Sequence, residues 1–98
     1  MTAWTLITGA SSGIGAAIAR RAAKNGRNLI LTARNREALD ALARECKEIG
    51  APETRVIEAD LADEAQIGRM WEEAVAIGPI DVLVNNAGLG SHGNVVDS

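Results

Sequence analysis

Apolar residues along this chain follow two rhythms. Four short runs, Trp4-Thr5-Leu6-Ile7-Thr8, Asn28-Leu29-Ile30-Leu31-Thr32-Ala33, Thr54-Arg55-Val56-Ile57-Glu58 and Ile80-Asp81-Val82-Leu83-Val84-Asn85, have strand length and are rich in aliphatic or β-branched side chains. Leu29, Ile30 and Leu31 stand in succession. A pleated strand sends them to alternate faces, so both faces must be covered, as in a parallel sheet flanked by helices. Between the runs the spacing turns helical. Ile14, Ala17, Ile18 and Ala22 mark a helix from Gly13 to about Asn25, closed by Lys24, Asn25 and Gly26. Leu39, Leu42, Ala43, Cys46 and Ile49 form the stripe of a second, capped by Asn35 and ended by Gly50 and Pro52. Ile67, Met70, Trp71, Ala74 and Val75 follow Asp63, which with Gln66 three residues on has the form of a capping box, and Gly78-Pro79 breaks that third helix. Strands alternating with helices build right-handed βαβ units. The prediction is an α/β, doubly wound parallel sheet of about four strands in the order 3-2-1-4 with three helices. Past Asn85 the residues are Gly- and Asn-rich and show no clear period.

Composition narrows the picture. At 98 residues the chain holds one domain at most, and no linker, repeat or low-complexity segment divides it. Ten Lys and Arg against thirteen Asp and Glu give a net charge of -3, which removes the general polyanion attraction of a nucleic-acid binder. Any anion must be held locally. Cys46, the single cysteine, cannot form an intramolecular disulfide, and with one histidine, His92, no Cys/His zinc cluster can assemble. The expectation is a reduced, cytoplasmic protein with no metal site. No basic segment and long apolar core open the chain, and no run approaches the roughly 18 apolar residues of a membrane span, so neither a signal peptide nor a membrane partner is expected.

The candidate chemistry sits between the first strand and the first helix, in Thr8-Gly9-Ala10-Ser11-Ser12-Gly13-Ile14-Gly15. Glycines let the backbone turn sharply and approach a ligand, and the helix start offers unpaired N–H groups with a partial positive charge. Such a turn suits a pyrophosphate. Gly15 lets the helix pack tightly on the strand, and Ser11 and Ser12 add hydroxyl donors. A glycine turn without a ligand is the alternative that spacing leaves open. Where the second strand ends, a dinucleotide-binding fold places the residue that meets the adenosine ribose. Here Ala33-Arg34-Asn35-Arg36 has no carboxylate to repel a 2′-phosphate, and the Arg34 guanidinium matches one. Arg34 and Arg36 as a solvated pair beside Glu37 is the competing reading.

Thr8-Gly9-x-x-x-Gly13-x-Gly15 followed by Asn85-Asn86-Ala87-Gly88 resembles the classical short-chain dehydrogenase/reductase family over the whole chain. The resemblance implies a Rossmann fold that binds NADP(H) by preference, with NAD(H) as the other possible cofactor. In these terms residues 1–98 are a single N-terminal half of the cofactor-binding domain. Gly9, Ser11, Ser12, Gly13, Ile14, Gly15 and Arg34 are the cofactor-binding residues of the first two turns. Asp60-Leu61 matches the family's position beside the adenine, although Asp60 satisfying its own loop is an equally simple role. Asn86, Ala87 and Gly88 lie along the cofactor by the same resemblance, and Asn85 is given a structural role. The family transfers hydride between a nicotinamide and a carbonyl or alcohol, using a tyrosine, a lysine four residues on and a serine. This chain has no Tyr, and its lysines, Lys24 and Lys47, lie on the first two helices. The expectation is an NADP-dependent oxidoreductase portion, truncated, with no catalytic residue of its own and inactive alone. Ser91, His92 and Ser98 suggest a triad, but along the sequence no carboxylate is arranged with them in any evident way, and a surface role is expected for the histidine. The alternative is a non-catalytic nucleotide-binding or self-assembling half-domain. A fourth strand with a bare outer edge, together with exposed helix faces, predicts self-association into a dimer or higher oligomer.

Overall fold

The computed structural model of the protein describes residues 3–86 and 94–97. Strands β1 (Trp4–Thr8), β2 (Asn28–Ala33), β3 (Thr54–Glu58) and β4 (Ile80–Asn85) alternate with helices α1 (Gly13–Lys24), α2 (Arg36–Ile49) and α3 (Glu64–Ile77), and β5 (Asn94–Asp97) follows. The first four strands are parallel in the order β3-β2-β1-β4, as expected from the sequence. Their limits coincide with the four apolar runs.

The two faces of the sheet explain the unbroken runs. Leu29 and Leu31 face a cluster with Ile7 and Val84 that α1 and α2 cover through Ala19, Ala23, Leu39, Leu42, Ala43 and Cys46. Ile30 points the other way and joins Trp4, Leu6 and Ile57 under Met70 and Ala74 of α3. Strand direction and crossover hand bring the carboxyl ends of β1 to β4 to one edge, with the chain reversing its order of addition between β1 and β4. At the opposite edge, Arg27 Nε donates to Thr5 Oγ1 at 2.8 Å and the same guanidinium pairs with Asp81, joining the starts of β1, β2 and β4.

Three expectations change. The buried stripe of α1 is Gly15, Ala19 and Ala23, whereas Ile14 is 63% exposed and Ala17 is also outside. Glycine and alanine carry little hydrophobic signal, but their small size lets the helix come close to the sheet. Val75 of α3 and Ile49 of α2 are likewise exposed rather than buried. Finally, the outer edge of β4 is not bare: β5 pairs with it antiparallel, Val84 opposite Val95 and Asn85 opposite Asn94. The route to self-association through an open β4 edge is therefore closed, because those backbone groups already have partners. Four residues are too few to announce a strand by periodicity. Among the described residues no helix is long and apolar enough to cross a membrane.

Candidate functional site

At the carboxyl ends of the strands lies a cleft of about 1010 Å³, lined by Gly9, Ser11, Ser12, Gly13 and Ile14 after β1, Ala33 to Asn35 after β2, Ala59 to Ala62 after β3, and Asn86 after β4. It straddles the point where the strand order reverses, which is where open α/β sheets take their ligands. Nine of the twelve expected site residues therefore share one cavity: Gly9, Ser11, Ser12, Gly13, Ile14, Arg34, Asp60, Leu61 and Asn86. Gly15 lies beneath it, and Ala87 and Gly88 are outside the described residues, as are Ser91, His92 and Ser98.

The turn after β1 is held by side chains. Gly9 adopts φ 63°, a left-handed conformation that favours glycine. Its carbonyl can only accept, and it takes hydrogen bonds from Ser12 N (3.2 Å), Ser12 Oγ (3.0 Å) and Asn86 Nδ2 (3.0 Å). Asn86, only 7% exposed, gives its second amide proton to Ser12 Oγ at 2.7 Å. Ser12 caps α1, its oxygen also accepting from Gly15 N at 3.1 Å. One hydroxyl proton donated and two bonds accepted exhaust the Ser12 hydroxyl. Of the two serines expected to offer a hydroxyl to a ligand, only Ser11 has one without a partner among the described residues. Gly15 closes the arrangement: a Cβ there would stand 2.3 Å from Gly9 O and 2.8 Å from Asn86 Nδ2. Behind the turn, Thr8 Oγ1 donates to Asn85 Oδ1 at 3.0 Å and ties β1 to β4.

What remains unpaired faces the cleft. Among the described residues the backbone N–H groups of Gly13 and Ile14 have no acceptor, and the first turn of α1 contains no acidic residue, unlike α2 with Glu37 and α3 with Glu64. The positive pole of α1 is left for an outside anion. Arg34 is exposed on the second wall and takes part in no ion pair among the described residues, while Arg36 is bound to Asp40 at 3.2 Å. The two arginines thus divide: Arg36 braces the start of α2, and Arg34 has no partner among the described residues.

The third wall is the loop after β3. Asp60 Oδ1 accepts from Ala62 N at 3.0 Å, so its carboxylate does satisfy its own loop, yet its second oxygen has no partner among the described residues. The neighbouring Leu61 N–H is also unpartnered. An acceptor and a donor on adjacent residues suit the edge of a nucleobase. Reading the sequence missed the role of Gln66. Its Oε1 accepts from Asp60 N at 2.8 Å rather than from Asp63 N, which bonds Asp60 O at 3.1 Å. The capping-box spacing marked Gln66 but not the residue it would reach. Among the described residues no three His, Cys, Asp or Glu side chains gather as metal ligands.

The donor set fits a dinucleotide: free N–H groups at a helix start for its diphosphate, a free guanidinium on the next loop, and a base-edge donor and acceptor on the third. Comparison with known proteins points the same way. The pattern of the short chain dehydrogenase family matches residues 3–97. The chain is 44% identical over 86 residues to an 11-beta-hydroxysteroid dehydrogenase of Pinus massoniana, covering 87% of this chain and 24% of that one. It superposes on a short-chain dehydrogenase from Sphingobium yanoikuyae in complex with NADPH with TM-score 0.81 and 38% identity, over 94% of this chain and 36% of that one. A metagenomic short-chain oxidoreductase in complex with NADP gives TM-score 0.82 and 42% identity, over 90% and 40%. The chain spans about a quarter of the length of the curated relatives it matches.

Proposed function

We propose that this chain, which belongs to the short-chain dehydrogenase family, is the N-terminal half of an NADP(H)-binding Rossmann domain and holds the dinucleotide along the cleft at the ends of β1 to β4. The observation that carries the reading is the convergence on one cavity of the unpaired Gly13 and Ile14 N–H groups, at a helix start without an acidic residue, and the uncommitted Arg34. The diphosphate lies on the start of α1, with the Ser11 hydroxyl beside it. Arg34 takes the 2′-phosphate, and the absence of a carboxylate on the loop after β2 favours NADP(H) over NAD(H). Asp60 accepts from the exocyclic amine of the adenine while Leu61 N–H donates to the adjacent ring nitrogen. Exposed Ile14 covers apolar surface of the ligand rather than the core. The NADPH and NADP complexes of the two similar structures support this choice of cofactor.

When bound, the dinucleotide supplies or receives the hydride exchanged with a carbonyl or alcohol substrate. These residues bind and orient it. No tyrosine is among the 98 residues, so the family's proton-transferring group has no counterpart in them, and in this reading the chain alone binds cofactor without turning it over. Titration of NADPH and NADH against the chain and an Arg34→Ala variant tests the assignment. The expected result is a preference for NADPH of at least about tenfold, the order of one charge-assisted contact, that falls to near parity in the variant. A preference that survives the substitution removes Arg34 from its role.

A further inference from the structure

We propose that Gln66, on α3 and outside the lining of the cleft, is the positioning residue for recognition of the adenine. The inference rests on the dinucleotide reading above and assigns the control of its base end. The loop from Ala59 to Asp63 has nearly every backbone donor committed: Ala59 N to Ala33 O at 3.0 Å, Asp60 N to Gln66 Oε1 at 2.8 Å, Ala62 N to Asp60 Oδ1 at 3.0 Å and Asp63 N to Asp60 O at 3.1 Å. Leu61 N–H is the exception among the described residues, and it lies next to the free carboxylate oxygen of Asp60. A donor and an acceptor read a base only if their separation and direction are held.

Backbone bonds and the Asp60 side chain shape the loop from within, but Gln66 is the side chain from a helix that anchors Asp60 itself. Its Oε1 fixes the Asp60 peptide, and its Nε2 reaches Asp63 Oδ2 at 3.4 Å, so the amide spans the loop from its first turn to the cap of α3. Asp63 Oδ1 in turn accepts from Ala65 N at 3.0 Å. The orientation of the base reader is thereby referred to a whole helix. Glutamine meets the need because one group must accept from a peptide N–H and donate to a carboxylate. Removing the acceptor frees the Asp60 peptide to rotate, and the Asp60–Leu61 pair loses its alignment without any loss of the groups themselves.

The test uses NADPH and its hypoxanthine analogue, in which a carbonyl replaces the exocyclic amine and the ring nitrogen beside it carries a proton. Both complementary positions are inverted in the analogue. Binding of the two is titrated by fluorescence for the wild-type chain, Gln66→Met, Gln66→Asn and Gln66→Glu. The wild type is expected to prefer NADPH by about tenfold, the order of one to two hydrogen bonds. Gln66→Met, near in shape but without the acceptor, and Gln66→Asn, a methylene too short, lower that preference below about threefold. Gln66→Glu, which keeps an acceptor for Asp60 N–H but sets a second carboxylate against Asp63, restores only part of it. The preference is a ratio on folded protein and does not move with stability alone. If either folded Met or Asn variant discriminates as well as the wild type, the role of Gln66 is overturned. If the wild type binds both without discriminating, the base-reading assignment of Asp60 and Leu61 fails first; if it binds neither, the dinucleotide reading fails first.

Discussion

Helices α1 and α2 pack on the same face of the sheet with opposite materials. α1 buries Gly15, Ala19 and Ala23, while α2 buries Leu39, Leu42, Ala43 and Cys46. Buried leucines remove far more apolar area from water than alanines do, so α2 contributes most of the stabilisation on this face. What α1 gains from its small residues is proximity. Its first turn comes close enough to the end of β1 for Gly15, Gly9, Ser12 and Asn86 to interlock, while the N–H groups of Gly13 and Ile14, which line the cleft, have no acceptor among the described residues. The ends of the two helices differ in the same sense. α2 begins with Glu37 and an Arg36–Asp40 pair that complete it internally, whereas α1 leaves its positive pole uncompensated. One helix holds the fold together, and on the proposed reading the other holds the ligand.

If this division is correct, substitutions in α1 damage binding and stability together, and those in α2 damage stability alone. Gly15→Ala is the most severe case. A methyl group 2.3 Å from a backbone oxygen cannot be accommodated without moving β1 or α1, and overpacking of this kind costs roughly 3 kcal/mol. Because the same shift opens the interlock under the diphosphate, NADPH affinity falls by about a hundredfold, the order of one to two charge-assisted hydrogen bonds. Denaturant unfolding and ligand titration on one preparation read both effects. Leu39→Ala, at a fully buried position, destabilises by about 2–5 kcal/mol through the cavity it leaves. Its folded fraction nevertheless binds NADPH within about threefold of the wild type, since Leu39 itself lines no part of the cleft. Equal losses of affinity in the two variants would erase the distinction between the helices.

The caps separate the helices on a finer scale. Asn35 caps α2 with one bond to Ala38 N at 3.0 Å, and Asn35→Ala is expected to cost about 1 kcal/mol. Ser12 caps α1 and also accepts from Asn86, a buried amide. Ser12→Ala leaves that amide proton without its partner, so its cost rises to about 2 kcal/mol and binding weakens with it. Thermal unfolding of the two variants side by side checks the order. A larger loss for Asn35→Ala would mean that Ser12 is an ordinary cap.

The same contrast accounts for what could be read in the sequence. The stripe of α2 was legible because leucines announce it, and four strands were legible because aliphatic runs between turn residues leave little choice. The stripe of α1 was misread by one position: Ile14 drew the pattern outward, while the residues that pack, Gly15, Ala19 and Ala23, are almost silent on any hydrophobic scale. The site shows the same limit. Nine residues of the cleft lining could be named, those after β1 and β2 from turns and strand ends and Asp60, Leu61 and Asn86 through the family resemblance, but which polar groups were already committed depends on contacts across more than seventy positions. Ser12 meets Asn86, and Thr8 meets Asn85, only after β4 is laid beside β1. Gln66 was visible as a helix-start residue, and its partner was not, because the curvature of the loop decides whether Asp60 N or Asp63 N is within reach.

Titration provides the smallest test, since the buried face of α1 carries no ionisable side chain and that of α2 carries one. Cys46 is fully buried, and burial pushes its thiol above the ordinary value of 9.0; the Glu45 carboxylate acts in the same direction, with the Arg20 guanidinium opposing. A raised value in the folded state means that the folded chain holds the proton more firmly than the unfolded one. The resulting contribution to stability is complete below the unfolded-chain value and is lost as pH rises through the higher folded value. Wild-type stability therefore declines above the ordinary thiol range more steeply than that of Cys46→Ala. Chemical denaturation of the two proteins between neutral and alkaline pH measures the difference in slope. A common slope would mean that water reaches the thiol in α2, and that this interface is looser than its leucines imply.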